Sequence, residues 1–312
     1  MAESNKTESF DLLLPEQIRR RVDPLMLVAK NIRSGSMKGE RRSVKRGTSV
    51  EFADYRNYVP GDDLRKLDWN VYARLEKPYI KLLEDEEDLA VHLLLDASAS
   101  MNWPNSEETE AGGNPEHNKL LFAQRIFATL AYISLSTGDR LMMTAMNDRG
   151  TNYFGPSRGR AQTVGMLRYA HRIEAQGVTD LNHTLRQYAI REKRAGLVFI
   201  ISDMFSPTGY VDGLNILLGK GHEVCIIHLL SPDEIAPPVA GDLRLLDIET
   251  GEAQEITVDA NMRSMYQQRL TGWLDAIRND CARKGVHYVM VQTDTPFEKV
   301  ILFELRKLGI VK

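Results

Sequence analysis

Three polar side chains follow the first long apolar segment of the chain at every second position. Residues 89–95 are apolar except for one histidine, Asp96 comes next, and Ser98 and Ser100 follow. Because alternate residues of an extended backbone point to one side, the carboxylate and the two hydroxyls would converge on a single point. Oxygen ligands of this kind suit Mg²⁺ or Ca²⁺ and are poor ligands for zinc or copper. The spacing therefore predicts a divalent-cation site.

Two further polar residues stand where they could join this site. Asp203 follows a second apolar segment at 197–201, and Thr179 lies in a loop ahead of a predicted helix. Ligands of doubly wound sheets bind at the carboxyl ends of the strands, so Asp203 would lie beside Asp96 if the two strands are neighbours. The alternative is a polar strand-to-helix turn in which these side chains only cap backbone N–H groups. The turn at 96–100, the loop with Thr179 and the strand end with Asp203 occur together in this order, which favours the cation site.

The elements that would position these groups alternate between strands and helices from residue 89 onward. Strands are predicted at 89–95, 140–146, 197–201, 223–230 and 287–292. Helices are predicted at 119–135, 159–174, 182–193, 210–218, 262–284 and 297–308, and a β-hairpin at 243–258. Such alternation predicts an α/β fold, a doubly wound and mostly parallel sheet with helices on both faces.

The first 88 residues differ in character from the rest, and they predict a separate, smaller subdomain of mixed or β-rich structure. They are charged and contain few long apolar runs, with short helices predicted within 14–30 and a strand at 77–83. Residues 89–312 would form the main domain. Three charged segments stand out: a basic stretch at 33–46, an acidic block at 84–88 and an acidic loop at 104–117.

Composition excludes several classes of function. The 312 residues carry a formal net charge of −3, so general nucleic-acid binding is not expected, although the basic residues Arg41, Arg42, Lys45 and Arg46 leave an adaptor role open. The two cysteines have no metal-ligand spacing, and low cysteine usage fits a reducing compartment. Neither a signal peptide nor an apolar stretch of membrane-spanning length is evident. We therefore expect a cytoplasmic protein without a membrane span.

The segment 96–100, with sequence Asp-Ala-Ser-Ala-Ser, followed by Thr179 and Asp203, resembles the metal-ion-dependent adhesion site of von Willebrand factor A-like domains. The fold of these domains is a Rossmann-like doubly wound sheet. The resemblance implies that the hydroxyls of Ser98, Ser100 and Thr179 bind the cation directly, and that the two aspartates hold ligands or waters in place. It implies Mg²⁺, with Mn²⁺ or Ca²⁺ as alternatives, and an open position for an Asp or Glu of a partner protein.

The N-terminal region resembles the signature of the bacterial family called domain of unknown function 58, which precedes an A-like domain. The residues that carry this resemblance are Glu51, Phe52, Tyr55, Arg56, Tyr58, Pro60, Gly61, Asp62, Asp63, Arg65, Asp68 and Trp69. Members often accompany MoxR-type AAA+ ATPases, which implies such a partner here and a role in complex assembly or chaperone-like maturation. The resemblance thus implies a binding module and not an enzyme. The long loop at 104–117 and the lack of membrane helices depart from the common pattern of the family.

A second function stays open from the residues alone, namely a Mg²⁺-dependent hydrolase or phosphatase with its site at the same strand ends. Such an enzyme needs a nucleophile or a general base beside the metal. A phosphatase with an aspartyl nucleophile would carry a second aspartate two residues after the first, and Ser98 stands there. We therefore assign no catalytic residue.

Overall fold

The computed structural model describes residues 12–30, 51–59, 67–84, 89–104, 114–148, 152–238, 241–246 and 253–312, without the side chains of 51–56, 81–84 and 245–246. The basic stretch at 33–46, residues 60–66 of the family signature, most of the acidic block and residues 105–113 of the acidic loop lie outside the described residues. The predictions made for those segments stay predictions.

The described secondary structure, numbered in chain order, agrees with the predicted alternation. The strands are β1 Glu51–Asn57, β2 Tyr79–Glu84, β3 Ala90–Asp96, β4 Arg140–Met146, β5 Asn152–Ser157, β6 Leu197–Ser202, β7 Glu223–Leu230, β8 Gly241–Leu246, β9 Ala253–Val258 and β10 His287–Gln292. The helices are α1 Glu16–Val22, α2 Trp69–Leu75, α3 Lys119–Thr137, α4 Thr163–His171, α5 Leu181–Arg191, α6 Val211–Gly219, α7 Pro232–Ile235 and α8 Ala260–Lys284. A closing helical segment at 297–307 contains a π-helical turn, Val300–Glu304.

The central sheet has six strands in the order β10-β7-β6-β3-β4-β5. Every neighbouring pair is parallel except β4 and β5, which are antiparallel. Alternate residues of β3 enter different cores, because Leu93 and Leu95 pack on one face of the sheet and Leu94 packs on the other. Burial on both faces explains why these strands have near-continuous apolar sequences. The predicted fold, a mostly parallel sheet covered by helices on both faces, is confirmed.

Strand β5 was not predicted from the sequence. It contains Gly155 and Pro156, residue types that weaken a strand pattern. The strand lies at the edge of the sheet, where a proline that lacks an N–H donor does least damage to the ladder. The predicted hairpin is confirmed, since β8 and β9 pair antiparallel in their own two-stranded sheet.

The chain divides into two compact units, residues 36–88 and residues 1–35 with 89–312. In the smaller unit β1 and β2 form an antiparallel pair, and α2 begins where the Asp68 side chain accepts hydrogen bonds from the backbone N–H groups of Asn70 and Val71. The larger unit resumes at Leu89, close to the predicted boundary. It differs from the predicted division because it also includes the segment at 12–30.

The N-terminal segment joins the larger unit by covering helix α3 and pairing with the C-terminus. Its apolar side chains belong to the same core as α3; they are Leu13, Leu14, Ile18, Val22, Leu25 and Leu27. Leu27 forms an antiparallel bridge with Val311, and the backbone groups of Met26 and Lys312 exchange two hydrogen bonds of 3.0 Å. The sequence pattern shows that this segment is helical but does not show which unit it covers.

Helix α3 is buried on nearly every side, since the sheet lies on one side and α1 covers another. It is 19 residues long, and its most apolar window has a mean hydropathy of 1.3, so by length and composition alone it could cross a bilayer. The expectation that no stretch reaches that length is therefore wrong for this helix. In the structure 72% of the window is buried within the protein, as in the core helix of a globular domain.

The adjacent residues Leu12 and Leu13 test whether the N-terminal segment is part of this core. Leu13 is 0% exposed and Leu12 is 44% exposed. We expect Leu13→Ala to lower the free energy of unfolding by about 2–5 kcal/mol, because it removes buried methyl groups and leaves a cavity. The matched variant Leu12→Ala should stay within about 0.5 kcal/mol of the wild type. Chemical denaturation followed by circular dichroism measures both, and equal effects would contradict the packing.

Candidate metal centre

The residues predicted to bind a cation lie at the topological switch point of the sheet. Strand β3 is flanked by β4 on one side and by β6 on the other, and the chain crosses over between them. Asp96 is the last residue of β3, and Asp203 directly follows β6. A crevice outside the carboxyl ends of the strands, at this point of the order, is where doubly wound sheets bind ligands. We call Asp96, Ser98, Ser100, Thr179 and Asp203 the candidate metal centre.

The carboxylate of Asp96 is buried, and both of its oxygens accept hydrogen bonds. Oδ1 accepts from the backbone N–H of Ser98 at 3.0 Å, and Oδ2 accepts from the hydroxyl of Ser202 at 2.6 Å. The Ser202 hydroxyl is itself held by the backbone N–H of Met204 at 2.8 Å. These contacts fix the orientation of the Asp96 side chain, and the sequence did not indicate the part played by Ser202.

The hydroxyl oxygens of Ser98 and Ser100 are 3.0 Å apart. Two adjacent ligands of an octahedral Mg²⁺, each at about 2.1 Å from the ion, are separated by about 3.0 Å. Ligands of Ca²⁺ at about 2.4 Å would be separated by about 3.4 Å in the same arrangement. The same distance is that of a hydrogen bond between the two hydroxyls, so it brings both oxygens within reach of one cation without distinguishing Mg²⁺ from Ca²⁺.

Backbone hydrogen bonds attach the loop that carries Thr179 to the turn after β3. The N–H of Gln176 donates to the carbonyl oxygen of Ala97, and the N–H of Ala99 donates to that of Gly177, both at 2.8 Å. Gly177 has a φ of +69°, a left-handed conformation that favours glycine. The Thr179 hydroxyl is buried and donates to the carbonyl oxygen of Met146 at the end of β4. The loop thus places Thr179 beside the Asp96 turn, as the sequence predicts.

Asp203 is fully buried, and both oxygens of its carboxylate also accept hydrogen bonds. Oδ1 accepts from the backbone N–H of Phe205 at 3.0 Å, and Oδ2 accepts from the ammonium group of Lys119 at 2.6 Å. Asp203 therefore does cap a backbone N–H group in the turn that follows it, as the alternative interpretation of these residues expects. The next residue, Met204, has a φ of +62°, a strained conformation for a side chain other than glycine. Strain of this kind clusters at functional sites.

Lys119 and Glu234 adjoin Asp203, and sequence reasoning missed both of them. The Lys119 side chain is 0% exposed, and its Nζ lies 2.6 Å from Asp203 Oδ2 and 2.5 Å from Glu234 Oε1. Burial alone would lower the pKa of Lys119, but the two carboxylates outweigh it and raise the pKa, so the ammonium stays charged. In the sequence Lys119 is only the polar first residue of an apolar helix, and no local pattern indicates partners so distant along the chain.

Burial and the nearby charge of Asp203 raise the pKa of Asp96 above its ordinary value. The hydrogen bonds from the hydroxyl of Ser202 and from the N–H of Ser98 oppose this rise without cancelling it. The raised pKa means that the ionised centre holds unfavourable negative charge, which a bound cation would relieve.

The donor set of the candidate metal centre is chemically selective. Among the described residues no group of three or more His, Cys, Asp or Glu side chains is placed to hold a metal ion. The side chains that the chain brings to this edge of the sheet are two carboxylates and three hydroxyls, all of them hard oxygen ligands of the kind that Mg²⁺ and Mn²⁺ accept. The residues present therefore fit such a cation and do not fit zinc or copper.

The pH dependence of stability tests the charge balance at Asp96. A carboxyl group whose folded pKa is raised loses its contribution to stability as the pH rises from about 4 through that pKa. We expect Asp96→Asn, measured without divalent cations at pH 7.5, to increase the free energy of unfolding by roughly 1–2 kcal/mol. The increase should shrink toward zero near pH 4, and denaturant titrations at several pH values measure it.

Asp180 provides a control for this prediction, because its pKa is shifted in the opposite direction to that of Asp96. Although burial opposes the change, hydrogen bonds from Thr208 and from the N–H of His183 lower the pKa of Asp180. The ionised Asp180 carboxylate stabilises the folded protein above the ordinary pKa of an aspartate, and this stabilisation is lost as the pH falls. Asp180→Asn should therefore destabilise the protein most at neutral pH. If Asp96→Asn behaved like Asp180→Asn, the charge balance described for the centre would be wrong.

Comparison with known proteins identifies one matching family, relatives of similar sequence and solved structures of low sequence identity. An uncharacterized protein of Mycobacterium bovis, Mb1516, is 28% identical over 277 residues, which cover 86% of this chain and 83% of that protein. Among solved structures, BatB from Bacteroides thetaiotaomicron is 15% identical with a TM-score of 0.42, covering 71% of this chain and 98% of that one. An aerotolerance-related membrane protein from Bacteroides fragilis is 16% identical with a TM-score of 0.42, at 70% and 99% coverage.

The family match covers both units of the chain. The family described as "Protein of unknown function DUF58" matches residues 54–272, a span that runs from β1 into α8 and includes the whole candidate metal centre. The predicted resemblance to this family is confirmed. The chain belongs to the DUF58 family.

Proposed function

We propose that this protein is a metal-dependent protein-binding module, and that the candidate metal centre holds Mg²⁺ or Mn²⁺ in the manner of a von Willebrand factor A-like adhesion site. The observation that carries the proposal is the pair of hydroxyls of Ser98 and Ser100, 3.0 Å apart, beside two buried carboxylates at the switch point of the sheet. Hydroxyl ligands alone neutralise no charge, so a divalent ion held by them keeps an affinity for anions.

The five residues would divide the work of holding the ion. The hydroxyls of Ser98, Ser100 and Thr179 would contact it directly. All four carboxylate oxygens of Asp96 and Asp203 already accept hydrogen bonds from protein donors, so these two side chains would act on the ion through water. Mg²⁺ characteristically keeps several waters, and one of those positions would take an Asp or Glu side chain of a partner protein.

An aromatic surface beside the centre supports a protein partner. The ring of Phe205, two residues after Asp203, is 41% exposed and stacks on Trp273 with a centroid distance of 5.1 Å and an interplanar angle of 7°. Aromatic side chains are enriched in protein–protein interfaces, and a rigid exposed ring offers contact area at low entropic cost. A partner that presents its carboxylate to the ion would also cover this ring.

Binding is a better account of this geometry than catalysis. A hydrolase would need a carboxylate or another group free to attack or to accept a proton, whereas Asp96 and Asp203 are both held by protein donors. Membership of the DUF58 family supports a MoxR-type AAA+ ATPase as the partner, with a role in complex assembly or chaperone-like maturation. A cytoplasmic location, where such an ATPase would find its nucleotide, is part of the same proposal.

Affinity capture from the native lysate tests the proposal. We expect the wild type to retain a specific protein in Mg²⁺ and to lose it in a chelator, because the ion bridges the two proteins. Asp96→Ala should lose it in both conditions, since that variant disrupts the buried end of the centre. The matched control is Asp212→Ala, an exposed aspartate in α6, which should bind like the wild type. Equal capture by Asp96→Ala and the wild type would contradict a metal-bridged contact.

A further inference from the structure

We propose that Lys119 is a positioning residue of the candidate metal centre, an internal counter-charge that restrains Asp203 from contacting the cation and thereby lowers the affinity for it. The inference rests on the proposed function, because it concerns the same centre. It adds to the centre a residue, Lys119, that the adhesion-site motif does not contain.

The first argument is the position of the ammonium group. Lys119 is fully buried, although burying a lysine is costly unless its charge is paired and hydrogen-bonded. Its Nζ is 2.6 Å from Asp203 Oδ2 and lies over the ring of Phe205 at 5.3 Å from the centroid. The protein thus places a permanent positive charge in contact with one of the two carboxylates available to a cation.

The second argument is that Lys119 has a second carboxylate partner, Glu234, in addition to Asp203. Glu234 Oε1 lies 2.5 Å from the Lys119 Nζ, while Oε2 accepts from the backbone N–H of Ser231 at 2.7 Å. The carbonyl oxygen of Glu234 also accepts a hydrogen bond from the hydroxyl of Tyr266 in α8. Because Glu234 is fixed at three atoms, Lys119 cannot swing away to make room for a cation without breaking this arrangement.

The third argument is the consequence for Asp203. One of its oxygens is engaged by Lys119 and the other by the N–H of Phe205, so the carboxylate would have to give up a charge-assisted hydrogen bond to contact a cation. The ammonium charge also repels a second cation placed nearby. Both effects act in the same direction, since each makes the centre bind a cation more weakly than its two carboxylates alone would.

Removing the charge of Lys119 should therefore tighten cation binding. We expect Lys119→Met, which keeps most of the side-chain volume, to bind Mn²⁺ roughly tenfold more tightly or better than the wild type. Free Mn²⁺, measured by electron paramagnetic resonance during titration of the full chain at pH 7.5, gives the dissociation constant. Asp96→Ala, measured in parallel, should show no binding at the centre.

A second variant keeps the test valid if Lys119→Met does not fold. That substitution leaves the half-buried Glu234 carboxylate without its cation, which is destabilising by itself. The double variant Lys119→Met/Glu234→Gln removes the unpaired charge and retains the side-chain shape. It should show the same tightening, and the gain in melting temperature on adding Mg²⁺ should be larger than that of the wild type.

The outcomes separate this proposal from the proposed function. If the wild type binds Mn²⁺ and Asp96→Ala does not, while both Lys119 variants bind with unchanged or weaker affinity, Lys119 is only a structural ion-pair residue. In that case the variants would lower the melting temperature equally with and without Mg²⁺. If neither the wild type nor the Lys119 variants bind Mn²⁺, the proposed function and this inference both fall.

Discussion

The repulsion between two buried carboxylates is the constraint on which the rest of the centre depends. Asp96 and Asp203 end neighbouring parallel strands at the same edge of the sheet, where water cannot screen their charges. Every close contact around them reduces the cost of that charge: the hydroxyl of Ser202, the backbone N–H groups of the two following turns, and the ammonium of Lys119. A bound cation would complete this set.

The architecture explains how such an arrangement can be held in place. Because β3 and β6 are neighbours, Asp96 and Asp203 lie at one edge of the sheet, and the backbone hydrogen bonds Gln176–Ala97 and Ala99–Gly177 hold the Thr179 loop against the turn after β3. Lys119 begins helix α3, which is buried along most of its length and packs against α1 and the sheet. Movement of the Lys119 ammonium would therefore disturb the core as well as the centre, so the counter-charge is rigid.

Sequence patterns predicted the parts of the structure that depend on local chemistry. Strands β4, β7 and β10 have the predicted bounds, and Asp96 and Asp203 stand at the ends of neighbouring parallel strands, as expected. The Lys119 contacts could not be predicted in this way, because its partners Asp203 and Glu234 are 84 and 115 residues away in the chain. Strand β5 escaped prediction because Gly155 and Pro156 interrupt its pattern, and only its edge position makes them tolerable.

The most direct test of the central claim is an anomalous difference map from crystals grown with Mn²⁺, for the wild type and for Asp96→Ala. The account predicts one strong peak in the wild type, about 2.1 Å from the hydroxyl oxygens of Ser98 and Ser100, with Asp203 still bound to Lys119. The Asp96→Ala crystal should lack the peak. A wild-type map without density at these hydroxyls, under saturating Mn²⁺, would contradict the assignment of the centre as a metal site.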